Sequence, residues 1–151
     1  MSRVAMDTSV IIEYVDLQGE FHEQAGAVFA ALAAGKLEAI VPHAILAETF
    51  YVATRLYAKL HVEGPELVAS ELVEWLYRLP STVVPNEDLG LALDTGKAKS
   101  RFGLALTDCC VLAASKRFAC RPLFRKVEGE MASCIEALKE EYQVLFLEEY
   151  T

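Results

Sequence analysis

The residues Arg3-Val4-Ala5-Met6-Asp7-Thr8-Ser9-Val10-Ile11-Ile12 join a short apolar run directly to an acid and two hydroxyl residues. We predict a buried strand over residues 4–6 and a helix from Asp7-Thr8-Ser9 to about Val15, because Asp, Thr and Ser are all good N-cap residues. A strand that passes at once into a helix is typical of the first half of a βαβ unit. This stretch therefore predicts a chain built on parallel strands.

Short apolar runs and longer helical periodicities alternate along the rest of the chain. Further strands are predicted at residues 37–41, 82–84, 122–124 and 143–147. Further helices are predicted at residues 20–34, 42–60, 64–79, 87–102, 107–118 and 131–141. The alternation predicts an α/β fold, a three-layer sandwich with a central, mostly parallel sheet of about five short strands flanked by helices. In such sheets, binding sites lie outside the carboxyl ends of the strands.

The composition predicts a single folded domain over residues 1–151. Hydrophobic residues make up 54% of the chain, which argues against disorder, and no apolar run approaches the roughly 18 residues of a membrane span. The first residues lack the apolar segment of a secretory signal, so we expect a cytoplasmic protein without membrane contacts.

The four cysteines form no CxxC pair and have no zinc-ligand spacing, so they are expected to be buried free thiols. The net charge of −8 argues against a broad surface for nucleic acid, but it allows a local basic patch or an acidic pocket neutralised by metal ions.

Three acids lie inside apolar stretches, where an ionised carboxylate is costly unless it is paired, hydrogen-bonded or bound to a metal. Asp7 follows the first predicted strand, Glu48 lies early in the helix after the second strand, and Asp108 lies in the first turn of a later helix. Helix N-termini that follow parallel strands gather at one edge of the sheet, so the three acids could converge. Converging carboxylates repel one another unless a hard cation lies between them, and Mg²⁺ or Mn²⁺ suits oxygen ligands.

Each acid also has a simpler explanation. Asp7 could serve only as the N-cap of the first helix, and Asp108 could be a first-turn acid favoured by the helix dipole. Glu48 has apolar neighbours at helical spacing, so it is expected to border the core, where a buried pair with Arg55 is the alternative. No single acid indicates a shared metal ion, and only the three together do.

Three ordered motifs resemble those of PIN domains. They are Asp7-Thr8-Ser9-Val10-Ile11-Ile12, Pro42-His43-Ala44-Ile45-Leu46-Ala47-Glu48 and Leu106-Thr107-Asp108-Cys109-Cys110-Val111-Leu112-Ala113-Ala114-Ser115. Their order, spacing and element types match the family over nearly the whole chain. The resemblance implies a PIN-like fold in which Asp7, Glu48 and Asp108 are catalytic and bind Mg²⁺ or Mn²⁺.

The resemblance also implies a function. Many PIN domains are metal-dependent ribonucleases, and small single-domain members are often VapC-like toxins held by an antitoxin. It therefore predicts a divalent-metal-dependent endoribonuclease that hydrolyses RNA phosphodiester bonds, as the toxin of a toxin–antitoxin pair. RNA, an antitoxin protein and a second copy of the chain in a homodimer are the expected partners. The alternative is a PIN-like binding or scaffold module with weak or no catalysis.

A fourth acid often follows the fourth strand in this family, in a Thr-x-Asp-like setting. The corresponding stretch here reads Pro122-Leu123-Phe124-Arg125-Lys126-Val127-Glu128-Gly129-Glu130 and places Val127 near that position. Glu128 is the candidate ligand, and Asp94 or no fourth ligand are the alternatives. A site with three acids could still hold one metal ion, whereas a second would be less secure.

Polar neighbours of these motifs are candidates for supporting roles. Ser9 and Thr107 adjoin the predicted ligands and would orient a carboxylate or simply cap a helix. Three basic residues that flank the fourth strand are candidate contacts for RNA phosphates. They are Arg121, Arg125 and Lys126.

The two long helices over residues 42–79 carry more large apolar side chains than one core face needs. Exposed apolar surface of that kind often marks an interface for an antitoxin or a second copy, and ordinary packing between the two helices is the alternative. The side chains are Phe50, Tyr51, Tyr57, Trp75 and Tyr77.

Overall fold

A five-stranded sheet forms the centre of the computed structural model, which describes residues 2–150. The strands are β1 (Ser2–Met6), β2 (Leu37–Ile40), β3 (Thr82–Val83), β4 (Arg121–Phe124) and β5 (Leu145–Phe146). They lie in the order β3-β2-β1-β4-β5, and every neighbouring pair is parallel. The predicted α/β sheet is therefore confirmed, and its pairing is entirely parallel.

Helices connect the strands and flank the sheet. They are α1 (Thr8–Val15), α2 (His22–Ala33), α3 (His43–Lys59), α4 (Pro65–Arg78), α5 (Leu89–Phe102), α6 (Leu106–Arg117) and α7 (Ile135–Tyr142). Six of the predicted helices are found with ends shifted by one or two residues. The prediction over residues 131–141 is partly wrong, because Gly129–Cys134 forms a 3₁₀ turn and the α-helix begins only at Ile135. A second 3₁₀ turn, Leu147–Tyr150, was not predicted.

The order of the strands reverses beside β1. The chain builds β2 and β3 on one side of β1 and then crosses to β4 and β5 on the other side. Where a parallel sheet reverses in this way, the carboxyl ends of the two central strands leave a crevice that commonly binds ligands. Asp7 follows β1 and Arg125 follows β4, so these two residues lie at the crevice.

Helix α6 reaches the same edge of the sheet from the other direction. It packs against β1, β4 and α5, and half of its residues are buried, many of them small enough to allow close packing. The buried residues are Cys109, Val111, Leu112, Ala113, Ala114 and Ser115. Because α6 leads into the parallel strand β4, its first turn lies at the carboxyl edge and carries Asp108 to the crevice.

The four cysteines are free thiols, as predicted, although only Cys109 is fully buried and the others are half-buried. Across residues 2–150, no helix combines the length and the apolar character that a membrane crossing requires.

Leu112 lies on the buried face of α6 and is 0% exposed, so it fixes this helix against the sheet. We expect Leu112→Ala to lower the free energy of unfolding by about 3 kcal/mol, because the truncated side chain leaves a cavity. Leu89→Ala is the matched control, since Leu89 is 74% exposed, and it should change stability by less than about 0.5 kcal/mol. Urea denaturation followed by circular dichroism measures both. Equal losses for the two variants would contradict this packing.

Candidate metal centre

Asp7 lies at the junction of β1 and α1 and is only 6% exposed. Its Oδ2 accepts hydrogen bonds from the backbone N–H of Ser9 at 3.0 Å and from the Ser9 hydroxyl at 2.6 Å. Asp7 is therefore the N-cap of α1, and the capping role predicted from the sequence is confirmed. Its other oxygen, Oδ1, is buried and has no hydrogen-bond partner among residues 2–150. Burial, with an added contribution from the charge of Glu48, raises the pKa of Asp7 above its usual value.

Ser9 connects Asp7 to the end of β4. Its Oγ donates to Asp7 and accepts a hydrogen bond from the backbone N–H of Arg125 at 3.1 Å. The hydroxyl therefore fixes the Asp7 carboxylate from one side and ties α1 to the loop after β4.

Glu48 lies half-buried in the second turn of α3. Its Oε2 accepts a hydrogen bond from the hydroxyl of Thr107 at 3.1 Å, which joins α3 to the first turn of α6. Arg55, the alternative partner of Glu48, instead donates to the hydroxyl of Tyr51 at 2.9 Å. The Thr107 hydroxyl therefore holds one oxygen of the Glu48 carboxylate.

Asp108 is half-buried in the first turn of α6. Burial, followed by the charges of Asp7 and Glu48, raises the pKa of Asp108 from 3.8 to about 7. Glu128 and Glu130 add smaller contributions of the same sign. Like charges that gather in partly buried surroundings oppose ionisation, so the neighbouring acids favour the protonated form of Asp108.

The acids surround a small cavity of about 80 Å³ at the crevice. Its polar lining includes carboxylates from three segments of the chain and one ammonium group, namely Asp7, Asp108, Glu128, Glu130 and Lys126. Glu48 does not line the cavity itself, although its charge acts on both Asp7 and Asp108. The structure thus brings together the acids that the sequence leaves scattered.

This set of donors fits a hard divalent cation. All the acids offer carboxylate oxygens, and the partnerless Oδ1 of Asp7 lies in a side chain that lines the cavity. Within residues 2–150, no three His, Cys, Asp or Glu side chains already stand as a closed ligand set. A bound cation would therefore have to draw the carboxylates closer, as it would by cancelling their repulsion.

The candidates for a fourth acid lie in different places. Glu128 lines the cavity, whereas Asp94 is exposed on α5 and lines a separate pocket with Lys97 and Arg101. Between these two, Glu128 is therefore the one that lies beside Asp7 and Asp108.

The three basic residues behave differently from one another. Lys126 lines the cavity, and its Nζ lies 3.9 Å from Oε2 of Glu20. The guanidinium of Arg125 is engaged with Glu128 and Glu13. Arg121 begins β4, at the amino edge of the sheet, and donates to the carbonyl of Gln143 at 2.7 Å. The structure does not bring Arg121 to the crevice.

Two acids of this region were missed by the sequence reasoning. Glu130 lines the cavity because it lies in the 3₁₀ turn that follows Glu128. The residue pattern did not predict this turn. Glu13 lies in the apolar run Val10-Ile11-Ile12-Glu13-Tyr14-Val15. Asp7 was selected as an acid in an apolar stretch, and the same criterion applies to Glu13.

We expect Asp108→Asn to stabilise the metal-free protein above neutral pH. The folded pKa of about 7 exceeds the ordinary 3.8, so the native state binds more protons and wild-type stability falls as pH rises between these values. The variant lacks this loss, so its advantage should grow from near zero at pH 4 to about 2 kcal/mol at pH 8 after allowance for screening.

Urea denaturation in EDTA at the two pH values measures the difference between variant and wild type. Asp94→Asn, at an exposed acid outside the cavity, serves as the control and should show no such trend. An advantage of Asp108→Asn that is the same at pH 4 and pH 8 would contradict the raised pKa.

Several solved structures that resemble the chain are toxins or VapBC proteins. Mycobacterium tuberculosis VapC20, described as a sarcin-ricin loop cleaving toxin, is 13% identical with a TM-score of 0.64, covering 87% of this chain and 94% of its own. Rickettsia felis VapBC2, bound to a DNA fragment from its promoter, is 7% identical with a TM-score of 0.62 and coverages of 95% and 96%. VapBC-1 from nontypeable Haemophilus influenzae is 12% identical with a TM-score of 0.58 and the same coverages. At these identities, the likeness shows a shared fold.

The family comparison is more direct. No curated protein matches the chain, but the model of the PIN domain matches residues 4–124. That range runs from the middle of β1 to the end of β4 and includes all three motifs that carry Asp7, Glu48 and Asp108. The chain belongs to the PIN domain family.

Proposed function

We propose that this chain is a divalent-metal-dependent endoribonuclease that hydrolyses RNA phosphodiester bonds. The observation that carries the proposal is a small cavity lined by Asp7 and Asp108, on both of which the charge of Glu48 acts. Asp7 keeps a buried oxygen there that has no hydrogen-bond partner among the described residues. Membership of the PIN domain family and a fold shared with a toxin described as cleaving the sarcin-ricin loop support the same activity.

Asp7, Glu48 and Asp108 would hold Mg²⁺ or Mn²⁺ in this proposal. When bound, such an ion supplies a Lewis acid for the phosphoryl group and lowers the pKa of water. The chain contributes the geometry: Ser9 fixes one oxygen of Asp7, which leaves Oδ1 for the ion, and Thr107 fixes one oxygen of Glu48. Lys126, on the wall of the cavity, is the residue proposed to contact an RNA phosphate.

The proposed ligands can be tested by RNA cleavage with Mg²⁺ or Mn²⁺ present. We expect Asp7→Asn and Asp108→Asn to lower the cleavage rate by at least about 100-fold, because each removes a charged ligand. Asp94→Asn is the matched control, since it neutralises a carboxylate outside the cavity and should retain wild-type activity. EDTA should abolish cleavage by the wild type and by the control.

Equal cleavage by wild type and Asp7→Asn would overturn this function. The alternative of a binding or scaffold module would then be favoured, above all if Mn²⁺ showed no saturable site that depends on Asp108.

We further propose that the chain is the toxin of a toxin–antitoxin pair, with an antitoxin protein and a second copy of the chain as partners in the cytoplasm. The solved relatives include a toxin–antitoxin complex from Klebsiella pneumoniae and the VapBC structures. The helices α3 and α4 also expose large apolar side chains, which favours an interface there over simple packing between the helices. Those exposed are Phe50, Tyr51, Trp75 and Tyr77, while Tyr57 is half-buried.

A toxin of this kind should slow the growth of a bacterial host when its expression is induced. We expect wild type and Asp94→Asn to arrest growth, and Asp7→Asn to have no effect at the same protein level, because the arrest would require RNA cleavage. Growth curves with immunoblots of the expressed chain measure this. Unimpaired growth with wild-type protein that cleaves RNA in vitro would refute the toxin role while leaving the nuclease.

A further inference from the structure

Arg125 links a buried carboxylate to a carboxylate of the candidate metal centre. Its Nη1 lies 3.6 Å from Oε2 of Glu13, and its Nη2 donates to Oε1 of Glu128. Glu13 is 3% exposed inside α1, whereas Glu128 is exposed on the wall of the cavity. The Arg125 guanidinium thus pairs both with the buried Glu13 carboxylate and with the Glu128 carboxylate of the candidate metal centre.

The Glu13 end of this link is built into the fold. Oε1 of Glu13 accepts the backbone N–H of Phe21 at 2.6 Å, which fixes the carboxylate beneath the loop before α2. A Cβ atom at Gly19 would lie 2.9 Å from both Cδ and Oε1 of Glu13, so the absence of a side chain there makes room for the carboxylate. Because an unpaired buried carboxylate is strongly destabilising, the interior holds Arg125 in place.

The other end of the link alters what Glu128 can do. A carboxylate oxygen that accepts a charge-assisted hydrogen bond from a guanidinium is already satisfied, and it offers less to a metal ion. An arginine stays protonated at every pH at which the protein is folded. Arg125 is therefore a permanent positive charge beside the acid that would be the fourth ligand.

We propose that Arg125, held in place by Glu13, is a permanent counter-ion that keeps Glu128 in an ion pair. It thereby limits the centre to a single divalent cation. The inference rests on the proposed function, since it concerns the same metal centre. Asp7, Glu48 and Asp108 serve the one ion, and the pair of Arg125 and Glu128 takes the place of a second. Arg125 is then a positioning residue and not a contact for RNA.

The test is the number of Mn²⁺ ions bound per chain, measured by titration with the electron paramagnetic resonance signal of free Mn²⁺. We expect wild type to bind one ion. Arg125→Gln frees Glu128, which with Glu130 and Asp108 offers a second set of oxygens, so this variant should bind two. Arg121→Gln is the matched control: it removes the same charge from the other end of β4, and it should still bind one.

Arg125→Gln leaves Glu13 buried without its cation and could fail to fold. The double variant Glu13→Gln with Arg125→Gln removes both charges of the interior pair and still frees Glu128, so it should fold and bind two ions. Circular dichroism and a melting curve establish which variants are folded before the titration.

The outcomes separate this inference from the proposed function. Two ions in wild type, or one ion in a folded double variant, would overturn the role of Arg125 and leave a metal-dependent nuclease standing. Wild type that binds no Mn²⁺ would overturn the metal centre itself, and the role of Arg125 with it.

Discussion

Repulsion among carboxylates at the carboxyl edge of the sheet is the constraint around which this end of the molecule is organised. Asp7 and Asp108 are both partly or fully buried, and each feels the charge of Glu48. Such a cluster is tolerated only when hydrogen bonds, counter-ions or a bound cation offset the cost. The hydroxyl of Ser9 holds Asp7, and the hydroxyl of Thr107 holds Glu48. Ser9 ties α1 to the end of β4 and Thr107 ties α6 to α3, so the geometry of the crevice and the packing of the fold depend on the same contacts.

Acids in apolar stretches have two different fates in this protein. Glu13 is as deeply buried as Asp7, but its oxygens are occupied by the Phe21 N–H and the Arg125 guanidinium. Asp7 keeps one buried oxygen without a partner among the described residues. The charge of Glu13 is paired within the protein, so this residue is structural. Asp7, in contrast, keeps an oxygen that is available to a bound ligand. Burial of a carboxylate thus points to a ligand site only when its hydrogen bonds within the protein remain incomplete.

The sequence predicted the fold well because hydrophobic periodicity and strand–helix alternation are local signals. It was wrong only at residues 131–134 of the last predicted helix, where a side chain competes with the backbone. Gly129 has a positive φ of 45°, and the Ser133 hydroxyl donates to the carbonyl of Glu130 at 2.8 Å, so a 3₁₀ turn replaces the first helical turn. That turn is what brings Glu130 to the cavity, so an error in secondary structure became an omission in the candidate site. Arg121 was misplaced for a simpler reason: a strand of four residues separates its two ends by about 10 Å, and only one end faces the crevice.

The sequence by itself determined the parallel α/β architecture, and it singled out the three acids as candidates, since both follow from residue types and their order. It also determined the N-cap at Asp7, because capping is decided within three residues of the chain. Only the tertiary structure decided which charges meet. Asp7, Glu48 and Asp108 are brought together by a strand order that reverses beside β1, and Arg125 meets Glu13 through the packing of α1 against β4. Electrostatic energy depends on distance in space and on burial, and neither quantity can be read from separation along the chain.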